Sequence, residues 1–355
     1  MKQQHPVEQI LDKKVMESFF REHFSEIVPE ADEYVGLDLK MIRRFDGTAF
    51  YNKDVPVTTI RARYKIKYKE QGEVQEVVLY GKATSTFITE PGRMSRVQKY
   101  LFDKVYTKPE LSVIKPLGYY PEQNVLLRYE APGATLRSYL EKASDNKEEI
   151  TKGLINTALW AARLHKINKV PKYFPRKDDF ALIRHFKRVF KEQGPKSLLK
   201  EYTELYNEFI EKAKAQEEGL EKRLIHGDFH PDNVFITDEG LMAIDFDDTG
   251  LSDPAQDLGS FLVQMRNMIV GVDQDQINEW QQLFLEKYFE NSEIGENINE
   301  RINLMQARTI FKNLSHHVSR HDEDYDDDEK IKLDFDHIKQ LFDLVDNKSK
   351  ILITY

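Results

Sequence analysis

The stretch His226-Gly-Asp-Phe-His-Pro-Asp-Asn-Val-Phe235, with Ile244-Asp-Phe-Asp-Asp248 behind it, gathers oxygen-bearing side chains at fixed spacing between apolar segments. Asp228 follows the apolar pair Leu224-Ile225, which places its carboxylate in a turn at a strand end. A carboxylate so placed can accept a hydrogen bond from a hydroxyl and orient it for attack on phosphorus. Positioning and charge stabilisation supply most of the acceleration in such a transfer. Asn233, five positions on, offers a neutral, hard amide oxygen, and Asp245, twelve further, offers a charged one. Oxygens of this kind suit magnesium, which takes one or two protein ligands together with nucleotide phosphates. Asp238-Glu-Gly240 supplies the turn of a hairpin over 234–244 that brings Asn233 and Asp245 together.

Taken singly, each of these residues has a plainer reading. Asp228 and Asp232 could cap turns, and Asn233 could satisfy backbone groups. The joint spacing favours chemistry over coincidence. His226 reads as a residue that holds the loop, and His230 as one that does the same or faces a substrate. A zinc pair of His226 and His230 lacks the helical His-Glu-x-x-His arrangement.

The elements that must position this site divide at Ala131-Pro-Gly-Ala134. Before it, residues 8–28 predict an amphipathic helix with Leu11, Val15, Phe19 and Ile27 near one face, widened by Phe20 and Phe24. Strands are expected over 37–45, 58–68 and 74–84, with a turn at Asp46-Gly47-Thr48 after the first and a hairpin at Gln71-Gly72 between the others. A helix over 92–105 and strands over 112–120 and 124–130 follow. Beyond 131 the periodicity is mostly helical, over 135–143, 149–168, 180–192, 197–219, 254–272, 275–290, 298–318 and 332–346. Tyr202, Leu205, Tyr206 and Phe209 fall at helical spacing and read as core. The expected class is α+β, in three segments: a helical extension at 1–35, a small antiparallel-sheet lobe at 36–130, and a larger helical lobe at 131–355.

Composition narrows the functional classes. The net charge of -9 argues against a nucleic-acid binder, which usually carries the opposite sign. The absence of cysteine excludes disulfides, thiolate metal sites and cysteine nucleophiles. No apolar run approaches bilayer-spanning length and no apolar export segment opens the chain, so a soluble, cytoplasmic protein is expected. The acidic run His321 to Glu329 reads as a solvated loop, since it lacks the ordered glycine and ligand spacing of a calcium-binding hand.

The run His226 to Asn233 resembles the catalytic loop of the aminoglycoside phosphotransferase and choline kinase-like family. Ile244-Asp-Phe-Asp-Asp-Thr-Gly250 resembles its metal-binding segment, and Asp253-Pro-Ala-Gln-Asp-Leu-Gly259 the continuation that follows. Ala131 to Leu140 is similar to the family's hinge, and Leu164-His165 to the end of the helix before its insert. The resemblance implies a two-lobed protein-kinase-like fold, Mg2+, and ATP as donor, with GTP as an alternative. It implies a small-molecule hydroxyl acceptor such as a sugar, an amino alcohol or an aminoglycoside. It makes Asp228 the catalytic base and Asn233 and Asp245 the metal ligands. Asp257 is read as an acceptor bracing the catalytic-loop backbone, and Asp247 as a substrate contact, a second-metal ligand or a solvated loop residue.

For nucleotide binding, Lys82 is the expected phosphate partner, on the same strand face as Val78 and Tyr80, with Lys65 and Lys67 as rivals. Glu130 is placed along the base edge, through its backbone or its side chain. The family pairs its lysine with a glutamate from the next helix; here Met94 to Leu101 contains none, and Gln98 is the substitute. Phe45-Asp-Gly-Thr-Ala-Phe50 stands in weakly for a glycine-rich loop, and no P-loop run is present. These departures keep a second function open, a nucleotide-binding pseudokinase or regulatory scaffold. The basic insert Lys169 to Lys200 reads first as a solvated surface; as a substrate contact it would attract an anionic acceptor, whereas the acidic segments would favour a cationic one, and the two patches leave the acceptor open.

Overall fold

The computed structural model describes residues 7–49, 52–85, 91–174, 179–216, 220–295, 298–320, 328–348 and 351. Phe50, residues 175–178 of the basic insert and residues 321–327 of the acidic run therefore lie outside the described residues. The chain forms two compact units. One comprises Met1–Thr107 with Ser112–Pro132, the other Lys108–Leu111 with Gly133–Tyr355.

The first unit is built on an antiparallel sheet of five strands in the order β1-β2-β3-β6-β5. These are β1 (Glu33–Ala49), β2 (Asn52–Glu70), β3 (Glu73–Thr84), β5 (Pro116–Tyr120) and β6 (Val125–Tyr129), with the short β4 (Leu111–Val113) between β3 and β5 in the chain. Gln71 and Gly72 both take positive φ at the β2–β3 turn, as a tight hairpin requires. β1 runs past Asp46 and Gly47, where the residue types predict a turn. Asp46 pairs with Thr58 across the ladder, accepts from the Thr58 hydroxyl at 2.7 Å and from Arg44 Nε at 2.6 Å. These bonds use the aspartate in the sheet rather than in a turn.

The amino-terminal segment is not one helix. A 3-10 turn at Glu8–Leu11 is followed by α1 (Lys13–Glu22) and α2 (Phe24–Ile27). Asp12 starts α1 by accepting from the Lys14 and Val15 N–H groups. The restart rotates the apolar face: Ile10, Met16, Phe19, Phe20 and Ile27 are buried, whereas Val15 is exposed. They share a core with Ile60, Ala62, Tyr64, Ile66 and Leu79 of the sheet. The buried Tyr64 donates its hydroxyl to the Ile10 carbonyl at 2.9 Å. The helix expected over 92–105 is α3 (Pro91–Tyr100), closed by a π turn at Leu101–Val105.

The second unit is mainly helical: α4 (Leu136–Leu140), α5 (Lys147–His165), α6 (Asp179–Gln193), α7 (Leu199–Ala215), α8 (Ala255–Met268), α9 (Gln274–Asn291), α10 (Asn299–Arg320) and α11 (Asp328–Asp346). Tyr202, Leu205, Tyr206 and Phe209 are buried, as their spacing predicts. Set among the helices are β7 (Ala134–Thr135), β8 (Arg223–Ile225), the hairpin β9 (Val234–Thr237) and β10 (Gly240–Ala243), and β11 (Gly250–Ser252), which pairs with β8. The segment Lys108–Leu111 joins this unit, and the Glu110 carbonyl accepts from the Leu241 N–H at 3.0 Å. The sheet-rich first unit and helical second unit match the expected α+β, two-lobed class.

Candidate active site

Two short ladders aim the motif residues. β8 delivers the chain into the loop at His226, and the β9–β10 hairpin carries it from Asn233 to Asp245. The hairpin pairs Val234 with Ala243, and the Ile244 N–H donates to the Asn233 carbonyl at 3.0 Å. Asn233 and Asp245 are thereby brought to the same open end, as the spacing predicts. Asp245 sits at φ 65, a left-handed conformation that aspartate adopts more readily than most residues and that typically marks functional turns.

The loop is anchored from below by aromatic rings. Phe229 and Phe246, one from each motif, lie on the buried Trp160 of α5 with centroids at 5.6 and 6.3 Å. Phe229 in turn stacks on Phe261 of α8 at 5.1 Å. Alternating ring and polar residues in the motif thus separate the inward anchors from the functional groups.

Asp257, at the start of α8, clamps the loop backbone. Its carboxylate accepts from the His226 N–H at 2.7 Å, the Gly227 N–H at 2.8 Å and His165 Nε2 at 3.1 Å. Burial works to raise this carboxyl, but the His165 hydrogen bond and charge and the loop N–H groups outweigh it and keep the group ionised. Tyr288, whose own ionisation burial suppresses, bonds to His165 Nδ1 at 2.9 Å and so fixes the ring with Nε2–H toward Asp257. Gly227 has φ 86, a backbone position that favours glycine and turns two successive N–H groups onto one carboxylate. His226 is fully buried and held neutral by desolvation. Its Nε2–H donates to the Ile244 carbonyl at 2.9 Å, while Nδ1 accepts from the Asp228 N–H at 3.4 Å. One imidazole therefore ties the motif loop to the hairpin's return strand.

Asp228 presents its carboxylate on the other side of this loop. Oδ1 accepts from Lys312 Nζ at 2.9 Å, and Oδ2 lies 3.4 Å from His230 Nε2. Burial alone would raise the Asp228 carboxyl; His230 and Lys312 reverse that and hold it far below the usual carboxylate range. It is thus ionised throughout the working pH range and ready to accept a hydrogen bond. Asn233 Nδ2 donates to the Asp228 carbonyl at 2.9 Å and lies 3.0 Å from His230 Nε2. With its nitrogen engaged on the loop, the amide oxygen is the atom left to hold a cation. Asp232 is engaged elsewhere, in an ion pair with Arg137 at 3.1 Å.

A donor set of one carboxylate, Asp245, and one amide oxygen, Asn233, fits a hard divalent cation shared with a polyphosphate. Among the described residues there is no cluster of three or more His, Asp or Glu side chains able to hold a metal ion by themselves.

In the first unit, Lys82 lies on β3 opposite Arg61 of β2 and Leu126 of β6. The rivals Lys65 and Lys67 close cross-strand ion pairs with Glu76 at 2.8 Å and Asp38 at 2.9 Å. Gln98 is buried and donates to the Ile114 carbonyl at 3.3 Å, so the bond expected to the lysine is not made. The Glu130 carboxylate accepts from Arg63 and from the Tyr80 hydroxyl at 3.1 Å, and its N–H donates to the Val78 carbonyl. Lys312 has no local motif to announce it; its only trace in the sequence is a basic residue one helical turn beyond Arg308.

The sequence profile of the phosphotransferase enzyme family matches residues 108–290. Among curated proteins none matches the chain in sequence. Similar solved structures include a choline kinase from Cryptosporidium parvum Iowa II, at TM-score 0.60 and 13% identity, covering 95% of this chain and 97% of that one. An amicoumacin kinase solved with AMP-PNP and Ca2+ aligns at TM-score 0.55 and 17% identity, over 82% of this chain and 87% of its own. A microcompartment-associated aminopropanol kinase aligns at TM-score 0.55 and 13% identity, over 94% and 100%. At these identities the likeness is one of fold.

Proposed function

The chain belongs to the phosphotransferase enzyme family, and on that premise we propose that it transfers the γ-phosphoryl group of ATP to a hydroxyl of a small molecule. The observation that carries this reading is Asp228: an ionised, partly exposed carboxylate on a loop fixed by Asp257, His226 and three aromatic rings. Asp228 accepts the hydrogen bond of the acceptor hydroxyl and directs a lone pair of its oxygen at the γ-phosphorus. As the new P–O bond forms, the bond to the ADP β-phosphate oxygen breaks. The electron pair leaves with ADP, and the hydroxyl proton passes to the Asp228 carboxylate. Asn233 and Asp245 would hold Mg2+, which when bound neutralises developing charge on the phosphates. In the sheet unit, Lys82 is assigned to the nucleotide phosphates and Glu130 to the base edge, through its main chain because its carboxylate is already committed.

The test is mass-shift detection of phosphorylated product with Mg-ATP and a panel of sugars, amino alcohols and aminoglycosides. Asp228→Asn keeps the side-chain volume but loses the charge and proton acceptance, so turnover should fall by roughly 10²-fold or more with nucleotide affinity retained. Turnover at the wild-type rate in that variant would remove Asp228 from the mechanism. The engagement of Gln98 with Ile114, on a helix without the expected glutamate, favours one second reading, a nucleotide-binding scaffold. Magnesium-dependent ATP binding with no product from any acceptor would select it.

A further inference from the structure

Lys312 comes from α10, 84 residues beyond the loop, yet its ammonium lies 2.9 Å from the carboxylate oxygen of Asp228. It makes no other ion pair among the described residues, and its side chain is 23% exposed. The carboxylate read above as the partner of the acceptor hydroxyl is therefore already neutralised by a resident cation. We propose that Lys312 is a specificity-determining residue that restricts the acceptor to hydroxyl compounds without a positive charge near the reacting group, favouring hydroxy acids and polyols over amino alcohols. The proposal rests on the reading of Asp228 as that partner.

The geometry leaves little freedom. A hydroxyl bonded to the Asp228 carboxylate sits about 2.7 Å from one of its oxygens. Its carbon skeleton is then roughly 5 Å from the Lys312 ammonium. A second ammonium on the adjacent carbon meets a like charge at that range, while the Asp228 carboxylate beside it is already paired with Lys312. At a partly screened site the penalty is on the order of ten- to a hundredfold in affinity. A carboxylate in the same place gains by a similar factor. His230 lies 3.4 Å from the other carboxylate oxygen of Asp228, and Asp245 is assigned to the metal. The named amine acceptors of the similar kinases thus do not transfer to this chain.

Three probes differing in one end group test this: glycerate, glycerol and 3-aminopropane-1,2-diol. With Mg-ATP, the wild-type kcat/KM should fall in that order, with at least tenfold between the first and last, expressed mainly in acceptor KM. Lys312→Arg should preserve the order, Lys312→Met flatten it, and Lys312→Glu reverse it by at least tenfold. The KM for ATP serves as the reference for a folded nucleotide site. A wild-type preference for the amine, or an order that the glutamate variant leaves unmoved, overturns the proposal while the phosphotransferase reading stands. If no probe is phosphorylated, calorimetric binding in the presence of Mg-AMP-PNP takes over as readout. Charge-ordered binding that Lys312→Glu reverses then upholds the proposal, and the transfer reading is decided by the wider acceptor panel. No binding, or binding indifferent to probe charge, overturns the proposal.

Discussion

Asp257 holds the loop of the site by its backbone. It is buried and receives two loop N–H groups and one imidazole N–H, so removing it leaves three donors without an acceptor. Breaking such a buried charged network costs about 3–5 kcal/mol. Asp257→Ala should therefore lower the free energy of unfolding by that amount and release the loop, whereas Asp257→Asn should lose less because one oxygen remains. Equal stability of the alanine variant and the wild type in urea unfolding would contradict the clamp. At this scale the sequence was legible where residues lie close together in the chain. Asp228, Asn233, Asp245 and Asp257 fall within 30 residues, and two tight ladders join them, so spacing alone predicts their grouping. Lys312 was not legible, because helical periodicity distinguishes buried from exposed positions but says nothing of which distant loop an exposed residue meets. Nor was the partner of Gln98, a main-chain carbonyl that any residue type could supply.

Elements explain where the boundaries moved. The pattern over 8–28 reads as one helix because apolar residues recur at helical spacing throughout. Asp12 interrupts it by capping α1, and the interruption brings Ile10 and Met16 into the core in place of Val15. Asp12→Ala should cost about 1 kcal/mol, while Asp12→Ser should recover most of it. The comparison is made by thermal unfolding, and equal midpoints for all three would mean that the cap contributes nothing. β1 departs from expectation for the opposite reason. Asp46-Gly47-Thr48 has turn chemistry, but cross-strand bonds to Thr58 and a bond from Arg44 satisfy the aspartate within the ladder. Local signals of capping and turning are real in both cases; tertiary partners decide which is used.

The whole molecule responds to pH through histidines that its core holds neutral. His337 on α11 is buried, and desolvation with the nearby Arg266 charge pulls it down to about 3 from the ordinary 6.5. The depressed value fixes the sign: between those two values the unfolded chain binds a proton that the folded one refuses. Stability is therefore full above 6.5 and falls as the pH drops, by up to about 1.4 kcal/mol per unit from this group. His226, also held neutral by burial, adds to the same slope. Replacing His337 with leucine should remove about one proton from the pH dependence of unfolding between roughly pH 6 and 4.5, measured by denaturant titration. An unchanged slope would mean that His337 is protonated in the folded protein.

The segment Lys108–Leu111 belongs to the helical unit although the residues on both sides of it belong to the sheet unit. The backbone therefore passes from one unit to the other three times rather than once. No single peptide bond divides the protein into its two halves. A helical fragment cut cleanly at Gly133 would leave behind the carbonyl of Glu110, and with it the acceptor for Leu241 beside the hairpin that carries Asn233 and Asp245. An exchange of the sheet unit between relatives meets the same obstacle: it would need three matched junctions, at 107/108, 111/112 and 132/133, instead of one.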